Sequence, residues 1–294
     1  MRVLITGASG FIGKQLLPLL RKHEVLILSR TIVDTVRDNF ICLRSDLAQL
    51  DTIKEQLSSF KPEVCIHLAW EGLPDYSLKT CHHNFNISVN LIEMMGDLGC
   101  RKIFISGSCW EYGHISGKVA EEDTPGKTGL FASFKTALRL VAESMADDYG
   151  FELVWGRIFF AYGPGQRQNS LIPACIKNFK NNQLPDIRTP YAINDFIHIK
   201  DVAHCILALV ENINTKGIYN IASGIPVTIL DVVHLIADLM GKTSLLRFNM
   251  DKEQECGFWA DTSCLQEAVP NFISTSLSDG INRLLDEYDK DGEK

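Results

Sequence analysis

The chain begins MRVLITGASGFIG, an apolar strand that runs straight into Thr6, Gly7, Gly10 and Gly13. Glycines three apart directly after a strand predict a tight strand-to-helix turn at Gly7. They also predict a close backbone approach to a dinucleotide pyrophosphate at Gly10, and a helix seated against the sheet at Gly13. The context makes the pattern specific: Val3, Leu4 and Ile5 form the strand, and Phe11, Ile12, Leu16, Leu17 and Leu20 supply a helical apolar face behind the glycines. Ser9, Phe11 and Ile12 join the three glycines as the candidate cofactor-binding loop. Pro18 falls inside the expected helix and predicts a kink, because it offers no N–H and its ring crowds the preceding turn.

Downstream, residues 24–28, 40–43, 64–68, 102–106 and 152–158 read as strands, with helical patterns between most of them. That alternation predicts an α/β fold, a Rossmann doubly wound parallel sheet. Residues 84–99 and 131–149 are the clearest helices, stopped by Gly99 and Gly150. After residue 160 the chain turns polar and proline-punctuated to about residue 193. Strands at 195–199 and 218–221 flanking a helix at 201–213 then lead to helices at 229–240 and 279–288. The expected division is a nucleotide-binding domain over 1–162, with 194–222 returning to it. A smaller C-terminal substrate-binding lobe is expected from 163–193 and 223–294.

Composition excludes several classes. The 294 residues carry a formal net charge of −7 with the basic residues scattered, so the electrostatic footprint of a nucleic-acid binder is missing. The first residues already read as strand and no apolar run reaches the ~18 residues of a membrane span, so a soluble, cytoplasmic protein without membrane partners is expected. Nine cysteines lie dispersed without a CxxC pair, as expected of reduced and mostly buried thiols. Cys81, His82 and His83 are adjacent, and neighbouring side chains on a helix or turn do not converge on a metal.

The second strand ends in Leu28, Ser29 and Arg30, where a carboxylate would grip the ribose 2′-hydroxyl of NAD. A guanidinium matches a 2′-phosphate in charge and fork geometry, so NADP(H) is the preferred cofactor and NAD(H) the other choice. Asp46 and Leu47 follow the third strand and could meet the adenine, although ordinary turn chemistry explains Asp46 alone almost as well.

Taken in order, TGASGFIG at 6–13, SDL at 45–47, IHLA at 66–69, SGSCWEYG at 106–113, FxxxK at 131–135, GRIFFAYGPG at 156–165 and DFIHIKDVA at 195–203 resemble the extended short-chain dehydrogenases/reductases. The family includes nucleotide-sugar epimerases, 4,6-dehydratases and 4-ketoreductases. The resemblance implies that Ser108 bonds the reacting oxygen and that Lys135 holds the nicotinamide ribose. It further implies that Leu68, Ala69, Trp70 and Asn84, at the start of its helix, line the cofactor. Phe159 would flank the nicotinamide, Phe160 would begin the substrate site, and Arg167 is one of several cations available to a substrate diphosphate. A homodimer through helices 84–99 and 131–149 is implied by resemblance only.

The chain departs from the family at one place. Its motif is YxxxK, and here Phe131 stands where the tyrosine would, which removes the phenol that trades a proton with the substrate oxygen. Three readings stay open: an active enzyme with another donor among Tyr112, Glu111 and Tyr162; a tyrosine enzyme altered to trap substrate; or a non-catalytic binder of NADP and sugar nucleotide. Cys109 and Trp110 after Ser108 are not proton shuttles for elimination. The expected reaction is therefore NADPH-dependent reduction of a keto group, C4, of a nucleotide-activated 6-deoxyhexose, with a nucleotide-sugar epimerase as the alternative.

Overall fold

The computed structural model describes residues 1–31, 39–246 and 257–292. Its strands are β1 (Arg2–Thr6), β2 (Glu24–Ser29), β3 (Phe40–Arg44), β4 (Val64–His67), β5 (Lys102–Ser108), β6 (Gly117–Val119), β7 (Glu152–Ile158), β8 (Phe160–Tyr162), β9 (Ile193–His198), β10 (Gly217–Ile221), β11 (Pro226–Thr228) and β12 (Phe258–Ala260). Its helices are α1 (Phe11–Leu16), α2 (Lys54–Phe60), α3 (Leu78–Asp97), α4 (Leu130–Tyr149), α5 (Leu171–Lys180), α6 (Ile199–Glu211), α7 (Ile229–Leu239), α8 (Ser263–Ala268) and α9 (Leu277–Gly292).

Seven strands form one sheet in the order β10-β7-β5-β4-β1-β2-β3, every neighbouring pair parallel. The order reverses between β1 and β4, which opens a crevice beyond their C-terminal ends. Strands buried on both faces read as continuous apolar runs, and Val3–Ile5, Val25–Leu28 and Ile103–Ile105 are buried throughout. One face packs on α1 and α6 through residues such as Leu16, Val202 and Ile206. The other packs on α3 and α4 through Leu91, Met95 and Leu138. Those two helices approach closely, since a Cβ on Gly96 would lie 2.5 Å from the Tyr149 ring.

Pro18 acts as its chemistry requires: the α-helix ends at Leu16 and the chain continues as a 3₁₀ helix over Leu17–Lys22. Helix α3 begins six residues before the apolar pattern becomes clear, because the Ser77 side chain accepts from the Thr80 N–H and starts it at Leu78. The polar stretch after residue 160 contains α5, whose Ile172, Ile176 and Phe179 are buried. They belong to a second core with Val232, Val233 and Ile236 of α7 and Ile281 and Leu284 of α9. Strand β9 pairs with β8 in parallel and with β11 antiparallel in a small sheet, while β10 forms an edge of the large one. Asp195 ties these parts together, its buried carboxylate accepting from the N–H groups of Ser223, Gly224 and Ala260 and from the Ser223 hydroxyl.

Eight described cysteines are free, six of them buried; Cys256 lies outside the described residues. Cys81 is buried while His82 and His83 are exposed, and no group of three or more His, Cys, Asp and Glu among the described residues could hold a metal ion. No described helix is long and apolar enough to cross a membrane.

Candidate active site

The three glycines meet three different demands. Gly7 leaves β1 at φ +72°, and a Cβ there would lie 2.7 Å from the Ala69 nitrogen and 2.8 Å from the Leu68 carbonyl carbon. Gly13 is buried, and a Cβ on it would come within 2.3 Å of the Gly7 oxygen, so α1 is seated on the turn itself. Gly10 is exposed, and its added Cβ would meet nothing but the Gly7 oxygen at 3.1 Å, which leaves its outer face open to a ligand. No side chain caps the first turn of α1. Beneath the loop, Thr6, His67 and Ser88 form a buried chain with contacts of 2.7 and 2.9 Å. Burial drives the His67 pKa down to about 3, so a neutral imidazole braces β1, β4 and α3.

Two cavities meet at this loop. One, of about 210 Å³, is lined by Ser9, Gly10, Arg30, Leu47, Ala69 and Glu71 among others. The other, of about 460 Å³, takes in Phe11, Ile12, Gly13, Gln166, Arg167 and Ser170. Gly7, Gly10, Leu68 and Trp70 line both. The buried Trp70 Nε1 donor and the buried Gln166 Oε1 acceptor have no hydrogen-bond partner among the described residues. Orphaned polar atoms in the wall of a groove are costly unless a ligand meets them, and a dinucleotide along the glycine loop would present both donors and acceptors there. The residues present therefore fit the cofactor.

At the outer end of the smaller cavity, Arg30 Nη1 donates to Glu71 Oε2 at 3.0 Å. The arginine named for a 2′-phosphate thus already holds a carboxylate, which sequence inspection missed because Glu71 lies 41 residues away. Asn84 corrects another expectation. It sits inside α3 rather than at its start, is buried, and spends its amide on Glu71 N–H, Glu71 C=O and Thr80 C=O. It fixes the loop that carries Glu71. Asp46 Oδ1 accepts from the Ala48 N–H, the turn role, and Leu47 beside it lines the cavity.

Ser108 ends β5 on the crevice side and starts a short turn. Its Oγ accepts from the Trp110 N–H at 3.2 Å, and Glu111 Oε1 accepts from the Ser108 N–H at 2.8 Å. Glu111 is fully buried, also taking Trp155 Nε1 at 3.1 Å and Arg157 Nε at 3.4 Å. Desolvation raises its pKa against the pull of the Ser108 amide and Arg157. Gly107 must be glycine to admit this bond, because a Cβ would lie 2.3 Å from Trp155 Nε1. The Ser-x-x-Glu spacing of a capping box was readable at 108–111 and marks Glu111 as structural.

Lys135 is buried on α4 and donates to the Ser106 carbonyl at 2.8 Å, its ammonium 4.0 Å over the Trp70 ring. Burial lowers its pKa to about 7, with Glu111 opposing. Phe131, one turn earlier, contacts Trp70 at 5.4 Å, Tyr76 at 5.3 Å and Trp110 at 5.9 Å between ring centres. Tyr76, Trp110 and Phe131 also line a third cavity of about 300 Å³ with His114, Lys127 and Thr128.

The structure removes the three alternative proton donors. Tyr112 is buried, donates to Asn220 at 2.7 Å and is pushed up to about 12 by burial. Glu111 is locked as described. Tyr162 lies in the second core with Ile172 and Ile281, where its hydroxyl would be 2.0 Å from a Cβ on Gly280. Phe159 is 2% exposed and packs on Tyr112 and Phe258. Phe160 is half-buried against Phe196 and Phe258, and Arg167 is exposed on the wall of the larger groove.

A seven-stranded parallel sheet with a glycine loop and two cavities at its reversal point defines a doubly wound dinucleotide-binding protein. The chain belongs to the NAD dependent epimerase/dehydratase family, whose profile matches residues 3–222, and with it to the extended short-chain dehydrogenase/reductase enzymes. It is 26% identical over 246 residues to a GDP-6-deoxy-D-talose 4-dehydrogenase of Aggregatibacter actinomycetemcomitans, covering 81% of this chain and 80% of that one. It is 25% identical over 304 residues to a dTDP-4-dehydro-6-deoxyglucose reductase of Escherichia coli, covering 96% of each. A UDP-glucuronic acid 4-epimerase from Bacillus cereus, solved in complex with UDP-glucuronic acid and NAD, shares the fold with a TM-score of 0.82 and 23% identity, over 97% of this chain and 98% of that one.

Proposed function

We propose that this chain reduces a keto group, C4, of a nucleotide-linked 6-deoxyhexose with NADPH, residues 1–162 and 194–222 serving the cofactor and the remainder the sugar nucleotide. The observation that carries the reading is Lys135, a buried ammonium over the one tryptophan that lines both cavities of the groove. When bound, the reduced nicotinamide supplies the hydride. The first N–H groups of α1 would donate to a pyrophosphate lying along the open face of Gly10, and Lys135 would hold the ribose hydroxyls. Ser108 Oγ already accepts from the Trp110 N–H, which leaves its own proton free to polarise a substrate carbonyl. Elimination would need a mobile acid or base after Ser108, and the locked Glu111 and the buried, upward-shifted Cys109 thiol offer none.

A second reading, an epimerase with resident NAD, is favoured by Glu71, whose carboxylate in the smaller cavity suits a ribose hydroxyl better than a phosphate. We also read α3 and α4 as a homodimer face, on which Leu130 and Leu140 are exposed.

The test is cofactor oxidation with dTDP-, GDP-, CDP- and UDP-linked 4-keto sugars, on this chain and on Phe131→Tyr in parallel. Oxidation by either protein with one nucleotide series supports the reading, and none by both across all four sinks it. Oxidised NAD released on denaturing the purified protein favours the epimerase.

A further inference from the structure

Phe131 leaves the reduction without its usual acid, and the rings around it suggest where the proton comes from. Trp70, Tyr76 and Trp110 all touch Phe131, and of these three only Tyr76 carries an acidic O–H. Its ring centre is 5.3 Å from Phe131 and 5.5 Å from Trp110, which lies two residues past Ser108. It is half-buried, so it is shielded by the aromatic cluster yet lines the cavity that also holds Trp110 and Phe131. Its loop is braced: Asp75, just before it, accepts from the Ser77 N–H, and Asn84 pins the loop at Glu71.

We infer that Tyr76 is the proton donor of the reduction, a phenol supplied from the β4–α3 loop in place of the one missing at Phe131. This rests on the reductase reading above. As the carbonyl carbon gains a hydride and the nicotinamide is oxidised, the carbonyl π pair moves onto oxygen. That oxygen takes the phenolic proton of Tyr76. The tyrosinate left behind regains a proton from water entering the open cavity, which completes the balance.

The test is Tyr76→Phe, alone and combined with Phe131→Tyr, with the keto sugar that the parent chain reduces. Loss of the acid lowers kcat by about 10²–10⁴ with KM changed by less than about threefold, and the double variant recovers kcat. Fluorescence of the flanking tryptophans, titrated with NADPH and with the sugar nucleotide, reads binding separately and stays at parental affinity in Tyr76→Phe. An unchanged kcat in Tyr76→Phe overturns the inference, as does loss of binding in step with kcat. A parent chain that is inert while Phe131→Tyr turns over also overturns it and leaves the reductase reading standing. Inertness of both takes down the reading and Tyr76 together.

Discussion

Lys135→Met is expected to stabilise the cofactor-free protein while destroying its cofactor grip. The native environment lowers the Lys135 pKa from 10.5 to about 7, through burial. At 1.36 kcal/mol per unit, keeping the ammonium charged in the fold costs about 5 kcal/mol below pH 7. Methionine fills the same volume without a charge but forfeits the bond to the Ser106 carbonyl and the contact with Trp70, together about 1–3 kcal/mol. The net gain is about 2–4 kcal/mol at pH 6. Between about pH 7 and 10.5 the unfolded chain holds more protons at this lysine than the folded one, so parental stability rises with pH across that window relative to the variant. Urea unfolding of both proteins at pH 6, 8 and 10 measures the difference, and the other titrating groups are common to both. The gap should be widest at pH 6, narrow at pH 8 and vanish or reverse by pH 10, where the charge penalty has fallen below about 1 kcal/mol and the lost contacts dominate. A variant less stable than the parent at pH 6, or a gap flat across the range, would refute the claim that Lys135 is held against its solvation.

Glu71→Gln frees Arg30 from its carboxylate partner, and the ratio of NADP to NAD affinity, read by quenching of tryptophan fluorescence, should rise by about tenfold. An unchanged ratio would show that the pair does not govern the choice. Gly13→Ala forces a Cβ to within 2.3 Å of the Gly7 oxygen, and the loop must open to admit it. Dinucleotide affinity should fall by about tenfold or more with circular dichroism preserved, whereas unaltered binding would mean that the loop geometry is not what holds the ligand.

The large sheet was legible because its cause is local. Strands buried on both faces must be apolar throughout, and β7 falls on the predicted 152–158. The kink at Pro18 was equally readable, since a missing N–H acts within its own helix. The smaller lobe was less so. Strands β6, β8, β11 and β12 have three residues each, too few for a period to register, and α5 was hidden in a polar stretch where Pro173 looked like punctuation.

The candidate site divides in the same way. Ser108, Lys135 and the glycine loop were readable as motifs, and the substitution at Phe131 was visible as a departure from one. Asn84 was expected at the start of its helix and lies inside it, because the Ser77 cap starts α3 at Leu78. Glu71 on Arg30 and Tyr76 on Phe131 are separated by 41 and 55 positions, and no local pattern pairs them. By itself the sequence determined the doubly wound class, the glycine loop after its first strand and the phenylalanine four residues before Lys135, all of which follow from residue type and short-range spacing. Tertiary structure alone decided which carboxylate meets Arg30, which tyrosine ring lies against Phe131, and that Lys135 is buried over Trp70. Burial, charge pairing and the ordering of a loop are set by chain segments that only folding brings together.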